Sequence, residues 1–346
     1  MKIRSIVTVS AMTLVALASS AQALTFNTFV SGSSLSSVMN NNATVGFAYA
    51  GDKFVGSVYF GANNNQLYST DLNGGNVAKF GGLLGNFAGE VYVAASYASG
   101  GYGSRDVFAG AENGGVIYRV SHDGSSTTQF ASGLIGGVRS IAFDPTGLYG
   151  NKMVVATNAG RIYTVDTAGV ATLLATIGED AEGISFAPDA FGSYAAGTLF
   201  VASEGSGTLR AITPGGVKST VVTGLGGAEM VSFVPLNIGA SGNPVEGFYA
   251  ARYPTDVQKA SASQFVQYAG DAIITGESGS QVWQVHDTGA GFQVTDIGSF
   301  PGQPEDGIFV TAETVRLSNV PEHGNPAMLG FALIGLLALR RKFSRA

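Results

Sequence analysis

The chain has no cysteine, so its fold relies on its core rather than on disulfides. Histidine is scarce too, with three in 346 residues. His122 and His286 flank turn-forming clusters, His323 lies near the C-terminus, and none has a partner at metal-ligand spacing. No Ser/His/Asp set is placed by the pattern, and neither Ser203-Glu204-Gly205 nor Ser278-Gly279 forms a nucleophile elbow. Gly100-Gly101-Tyr102-Gly103 lacks the strand-to-helix order of a phosphate loop. Charged residues make up only 12 % of the chain. Disorder needs low hydrophobicity with high charge. Here 45 % of residues are apolar, 21 are Phe, 13 are Tyr and 50 are Gly, which describes a folded, turn-rich β protein.

The two ends read as addresses. Lys2 and Arg4 precede an uncharged apolar run over residues 6–17, and Ala21-Gln22-Ala23 supplies small residues for cleavage. This order predicts a signal peptide over residues 1–23, and export through the general secretion machinery. At the other end Val320-Pro321-Glu322-His323 is followed by an apolar run at 327–339 and by Arg340-Arg341-Lys342. That run is short of the roughly 20 residues an independent span wants, and the basic cluster would stay cytoplasmic and stop transfer. The body between these ends is acidic. Six of the 18 basic residues but only Glu322 of the 24 acids lie in the ends, which leaves residues 24–318 with a net charge near −11. Such a body is repelled by nucleic acid and anionic lipid, and can attract cations.

Within the body a hairpin recurs. Leu67-Tyr68-Ser69-Thr70-Asp71, Ile117-Tyr118-Arg119-Val120, Ile162-Tyr163-Thr164-Val165-Asp166, Leu209-Arg210-Ala211-Ile212 and Val282-Trp283-Gln284-Val285 each lead to a Gly-containing turn. Their starts are 50, 45, 47 and 73 residues apart. A period of roughly 40–50 residues in an all-β chain predicts a β-propeller of four-stranded blades. The clearest unit, residues 182–223, has strands near 184–187, 198–202, 209–212 and 219–222. We count five blades, with six as the alternative. Two segments, 25–30 and 45–49, remain unassigned strands that bear on the count. The ring is expected to close by a C-terminal strand at 305–310 joining a blade made from residues 58–60, 67–70 and 77–80. An insertion at 237–270 lies between the first and second strands of the last blade, or forms part of a further, degenerate one.

Blade topology also points to a site. In an up-and-down blade, the start of strand one and the loop between strands two and three share one end. This places Glu182, Glu204, Glu229, Glu277 and Asp306 around one mouth of the channel as candidate metal ligands, with Glu90 and Glu112 beside them. Arg139, Asn158 and Asn64 hold comparable positions. An oxygen-rich ring suits a hard cation such as Ca²⁺. The plainer reading is a set of solvated loop carboxylates. Tyr97, Tyr102, Tyr249 and Tyr253 are either faces for sugar stacking or packing residues.

Two resemblances bear on function. The C-terminal 27 or so residues resemble the PEP-CTERM sorting signal, a Pro-Glu-Pro motif with a short membrane helix and a basic cluster. His323 stands where that family has its second Pro. The resemblance implies processing near Pro321 and Glu322 by an exosortase-type enzyme. It also implies recognition of Arg340, Arg341 and Lys342, a transient inner-membrane anchor at 327–339 within a tail of 319–346, and delivery to the envelope surface or exopolysaccharide matrix of a Gram-negative bacterium. A plain C-terminal anchor is the alternative. The blade pattern is distantly similar to NHL- and lactonase-type propellers, in which an acidic residue just before an inner strand ligates a catalytic divalent metal, the position Glu182 holds before Gly183-Ile184. The expectation is a non-enzymatic surface or matrix platform, with polysaccharide as a partner. The alternative is a Ca- or Zn-dependent hydrolase of the lactonase type.

Overall fold

A computed structural model describes residues 23–61, 65–85, 87–97, 100–312 and 314. They form six antiparallel four-stranded sheets arranged as the blades of a propeller. Blade one is β2 (Thr44–Tyr49), β3 (Phe54–Val58), β4 (Leu67–Thr70) and β5 (Ala78–Phe80). Blade two is β6 (Val91–Ala95), β7 (Val107–Ala111), β8 (Val116–Val120) and β9 (Thr127–Ser132). Blade three is β10 (Val138–Phe143), β11 (Met153–Thr157), β12 (Arg161–Val165) and β13 (Ala171–Thr176). Blade four is β14 (Ile184–Phe186), β15 (Leu199–Ser203), β16 (Thr208–Ile212) and β17 (Lys218–Thr223). Blade five is β18 (Ala228–Phe233), β21 (Ala272–Gly276), β22 (Gln281–Asp287) and β23 (Phe292–Ser299).

The sixth blade corrects the expected count of five and bears out the alternative of six. The insertion folds into β19 (Gly247–Tyr253) and β20 (Asp256–Ser261). The C-terminal strand β24 (Gln303–Val310) pairs with β19 on the channel side, and the N-terminal strand β1 (Asn27–Val30) pairs with β20 on the outside. The closing strand therefore does not join the first blade. Blade one completes itself because residues 44–49 supply its inner strand. The other unassigned segment becomes the outer strand of blade six. The repeat was hard to see because blade six has no continuous stretch of sequence: its chain order is outer strand, two middle strands, then inner strand. A short helix, α1 (Gly32–Met39), links β1 to β2. Ser31 caps it by accepting from the Ser34 N–H at 3.2 Å, and it buries Leu35 and Met39.

Strand composition follows position in the blade. β11 and β15 are buried at all five positions, as second strands sandwiched between neighbouring blades must be. The outer strands β13 and β17 carry exposed positions. Two of the turns between strands three and four use one device. Asp71 Oδ1 accepts from the N–H of Asn73 and Gly75 at 2.8 and 2.9 Å, and Asp166 Oδ1 from Ala168 and Val170 at 3.0 and 2.9 Å. Gly169 in the second turn has φ +80°, and a Cβ there would lie 1.9 Å from the Phe130 carbonyl oxygen, so only glycine fits.

Successive blades are tied by aromatic packing and by two buried tyrosines. Tyr102 donates to the Val165 carbonyl at 2.5 Å and accepts from the Met153 N–H at 2.9 Å. Tyr149 repeats this one blade later, accepting from Leu199 N–H at 2.9 Å and donating to the Ile212 carbonyl. Tyr102 and Tyr249 are thus packing residues, each almost fully buried. Blade six is held to blade one by Phe29, Phe47, Phe54 and Tyr249, whose rings lie 4.7–6.3 Å apart.

Thr28 pairs with Gln258 across β1 and β20, and Gln258 Nε2 donates to Thr28 Oγ1 at 3.2 Å. With no native cysteine, a Thr28→Cys/Gln258→Cys pair tests closure directly. Oxidation is expected to form one intramolecular disulfide and to add about 2–4 kcal/mol of stability, read by denaturant unfolding with and without reductant. A pair that stays reduced would contradict the N-terminal strand's place on blade six.

Candidate functional site

The six inner strands run the same way along the channel, so their starts gather at one mouth and their ends at the other. Four inner strands shift register near their start: β2, where Val45 and Gly46 together oppose Ser57, and the three that carry site residues. In β10, Val138 pairs with Thr157 and Ser140 with Ala156, leaving Arg139 as the extra residue. In β18, Ala228 pairs with Gly276 and Met230 with Thr275, leaving Glu229 extra. In β24, Gln303 and Pro304 pair with Tyr253 and Arg252, but Gly307 pairs with Ala250, so Glu305 and Asp306 together oppose Ala251. A bulge breaks the alternation of side chains and re-aims one of them.

The bulges explain one correction. Asp306 was expected at the acidic mouth. Instead its Oδ2 accepts from the Phe47 N–H of blade one at 3.3 Å, and its side chain lines the opposite half of the channel. Glu305, its neighbour, takes the place at the mouth. The only sequence signal for Glu305 was that adjacency. Burial pushes the Asp306 carboxyl up to about 7, against the pull of the backbone N–H groups of Phe47, Gly307 and Val93.

The other four expected residues do converge. Carboxylate oxygens of Glu182, Glu204 and Glu229 lie within 4.8 Å of one another, and so do those of Glu229, Glu277 and Glu305. Glu229 belongs to both triads. Glu182, Glu229 and Glu305 are 2 %, 5 % and 1 % exposed, so these are not the solvated loop carboxylates of the plainer reading. Gly183 makes the close approach possible. Its N–H donates to the Glu229 carbonyl at 2.8 Å, and a Cβ on it would lie 2.6 Å from Met230 Cα.

The remaining residues divide between charge and bracing. Arg139 pairs with Glu90, with Glu112 at 3.5 Å, with Asp180 at 3.2 Å and with Glu182 Oε1 at 3.2 Å. Tyr92 donates to Glu90 at 3.0 Å and accepts from Arg139 at 3.1 Å. Asp180 and Tyr92 were missed in the sequence. Gln303 Nε2 donates to Glu277 Oε1 at 2.7 Å and to Glu305 Oε1 at 3.0 Å. Asn158 braces loops instead of facing a ligand: it donates to the Glu112 carbonyl at 3.0 Å and accepts from Gly137 N–H at 2.8 Å. Glu182 Oε2 is buried with no hydrogen-bond partner among the described residues. Asn64, the signal segment 1–22 and the tail residues Pro321, Glu322, Arg340, Arg341 and Lys342 lie outside the described residues.

Electrostatics make this mouth costly when it is fully ionised. Two ionised carboxylates 4–5 Å apart repel by about 3–4 kcal/mol at an effective dielectric constant of about 20. Burial, then the charge of Glu229, holds Glu182 well above the usual carboxylate range, with Arg139 opposing. Burial, then Glu305 and Glu277, does the same to Glu229. Burial, then Glu90 and Glu277, does it to Glu305. Burial also raises Glu277, against its hydrogen bond from Gln303. The cluster therefore holds protons or recruits a cation. An all-oxygen donor set with an orphaned buried oxygen fits a hard cation.

Two histidines lie elsewhere. His122 Nε2 is 2.9 Å from Asp52 Oδ1, and His286 Nδ1 is 2.8 Å from Asp271 Oδ1. Both pairs sit beyond the channel strands, near turns, and neither joins the glutamates. At the other mouth a cavity of about 700 Å³ is lined by Tyr97, Phe143, Phe186, Phe233 and Thr314, among others. Arg105 Nη2 donates to the Thr314 carbonyl at 2.9 Å, so the chain leaves the described structure there. Among the described residues no helix is long and apolar enough to cross a membrane, and the expected segment 327–339 lies outside them.

Raised carboxyl pKa values set the sign of the pH dependence. Such groups stabilise the fold fully below their unfolded value near 4.5, and that stability is lost as pH rises through their folded values. In chelator, the melting temperature is expected to fall from about pH 5 to pH 8, and Glu229→Gln to flatten that slope. A wild-type profile that rises over this interval would count against the cluster's burial.

No family model matches the chain, and no curated protein matches it. Among solved structures it is similar to a chain in a crystal structure of a nidogen/laminin complex, with 13 % identity and a TM-score of 0.52 over 78 % of this chain and 85 % of that one. It is also similar to streptogramin B lyase, with 14 % identity and a TM-score of 0.49 over 81 % of this chain and 74 % of that one. At 13 % identity, the first likeness establishes the β-propeller fold and nothing about ligands.

Proposed function

We propose that this chain is an exported β-propeller that serves as a cation-dependent binding platform at the cell surface or in the extracellular matrix, with polysaccharide as its ligand. The observation that carries the reading is the buried glutamate mouth bordered by tyrosine. Glu182, Glu204, Glu229, Glu277 and Glu305 would hold Ca²⁺. Tyr253 lies close enough to Glu305, Glu90 and Glu112 to feel their charge, and its ring centre is 6.4 Å from that of Tyr59, which is 40 % exposed. A bound calcium with open positions accepts sugar hydroxyls or uronate oxygens, while the tyrosine faces stack on the sugar rings. The mouth is anionic without its cation, so an acidic glycan is repelled until the cation is bound.

The tail supplies the address in this reading. The PEP-CTERM-like segment anchors the chain transiently in the inner membrane, and an exosortase-type enzyme processes it near Pro321 and Glu322. Thr314 borders the aromatic mouth, so an anchored chain would present the glutamate mouth away from the membrane.

A second reading keeps the same residues. Glu182 stands before β14 as the metal ligand of lactonase-type propellers stands before an inner strand. A divalent cation bound there would polarise a carbonyl or activate water. The glutamates would hold the ion, and Arg139 would fix Glu182 and Glu90. Hydrolysis of simple lactones by the calcium- or zinc-loaded protein, lost in Glu182→Gln, would favour this reading over the platform.

The platform reading predicts that full-length protein binds calcium and co-sediments with a uronate-rich polysaccharide in calcium but not in chelator. Tyr59→Ala is expected to weaken that retention about fivefold to tenfold, in the range of a lost aromatic contact. Absence of any calcium binding by calorimetry would end the platform reading, and absence of zinc binding as well would end the hydrolase reading. Deleting residues 321–346 is expected to release the protein from the envelope into the soluble exported fraction, and unchanged attachment would contradict the sorting role.

A further inference from the structure

The glutamates are not one ring but two triads that share a member. Glu182, Glu204 and Glu229 bring oxygens within 4.8 Å of one another, and so do Glu229, Glu277 and Glu305. Glu229 is the extra residue of the β18 bulge, so its side chain is turned into the channel between the two sets. Among the described residues the one cationic side chain ion-paired with a triad glutamate is Arg139, and it lies to one side. It pairs with Glu90, Glu112, Asp180 and one oxygen of Glu182. The other oxygen of Glu182 is buried without a partner, on a side chain only 2 % exposed. Beyond Glu229 the charge is met only by a neutral amide, Gln303, on Glu277 and Glu305.

We infer that the mouth binds two divalent cations, calcium by the chemistry of its donors, with the Glu229 carboxylate bridging them. The inference rests on the reading of this mouth as a cation site and goes beyond it in number and arrangement. One ion lies among Glu182, Glu204 and Glu229, the other among Glu229, Glu277 and Glu305. A carboxylate has two oxygens and can give one to each ion, which is how a single side chain serves both triads. With Glu229 giving one oxygen to each ion, each triad supplies up to five carboxylate oxygens, and water or ligand oxygens complete the six to eight that calcium takes. Two divalent ions offset four of the five triad charges, while Arg139 is shared between Glu182 and the flanking Glu90, Glu112 and Asp180; one ion leaves the second triad with its anions facing one another. Glu204 and Glu277 belong to one triad each, so the two sites can be removed separately.

The test is calcium titration of the full-length protein after treatment with chelator, followed by calorimetry and by elemental analysis after dialysis. Two ions per chain are expected. Glu204→Gln and Glu277→Gln should each bind one. Glu229→Gln should weaken both sites by about tenfold or more, since each loses a charged ligand. Asp306→Asn, outside the mouth, should bind two. Thermal unfolding in chelator checks that each variant is folded, and a folded Glu229→Gln protein is expected because loss of one buried like charge relieves repulsion. A wild-type stoichiometry of one would overturn the two-ion arrangement while leaving the platform reading intact. Two ions in wild type with only one lost or weakened in Glu229→Gln would overturn the bridge. No binding at all would remove the platform reading itself.

Discussion

Ring closure is the constraint on which the rest of this structure depends. A blade is a small sheet with two edges, and it is stable only when its faces are covered by neighbours on both sides. Five blades here are made from segments that follow one another or nearly so. The sixth has to be assembled from the first strand of the body, the last strand and an internal hairpin. This arrangement joins the ends of the domain through β1 and β24, and turns the final gap in the ring into a packed interface of Phe29, Phe47, Phe54 and Tyr249. Leaving that gap open would expose those rings and the unpaired backbone of β19 and β20 at once.

Much of the fold was legible in the sequence because most of it is local. The strands of blade four, the hairpin turns and the glycine at the left-handed position of each turn follow from residues close together in the chain. Asp71 and Asp166 explain their turns without reference to anything distant. Blade six was not legible in the same way. Its outer strand and its inner strand are separated by more than 270 positions, and nothing in either segment specifies its partner. The insertion was visible as an interruption of the period, while its role as a pair of middle strands depended on long-range pairing with two termini. Residues 25–30 and 45–49 read as strands, but their places in the ring came only from packing.

The site divides along the same line. Four of the five proposed ligands were reachable from topology alone, since a residue's place at a strand start fixes which end of the channel it occupies. The fifth failed by one residue. Asp306 and Glu305 are adjacent, and a regular strand would send them to opposite faces, but which one faced the mouth depended on a bulge opposite Ala251. Bulges in β10 and β18 likewise aim Arg139 and Glu229. The extra residue is a backbone feature set by pairing, with no marker such as a glycine at the position itself. Asn158 shows the complementary error. Its place in the chain matched the ring, but its side chain was consumed by two loop hydrogen bonds.

Closure and the acidic mouth are joined through β24. Glu305 belongs to the closing strand, while Glu229 and Glu277 belong to blade five. Without a cation, their mutual repulsion acts across the seam between the last two blades, and burial keeps protons on the carboxyls to relieve it. A cation held by all three would instead pull blade five and the closing strand together. By linkage, an ion that binds only the closed ring stabilises that ring in proportion to its affinity and concentration. A cation bound there would serve two ends with one set of contacts, presenting open coordination positions to a ligand and fastening the strand that completes the propeller. In a chain without cysteine, a cation held across this seam would fasten the ring where no disulfide can.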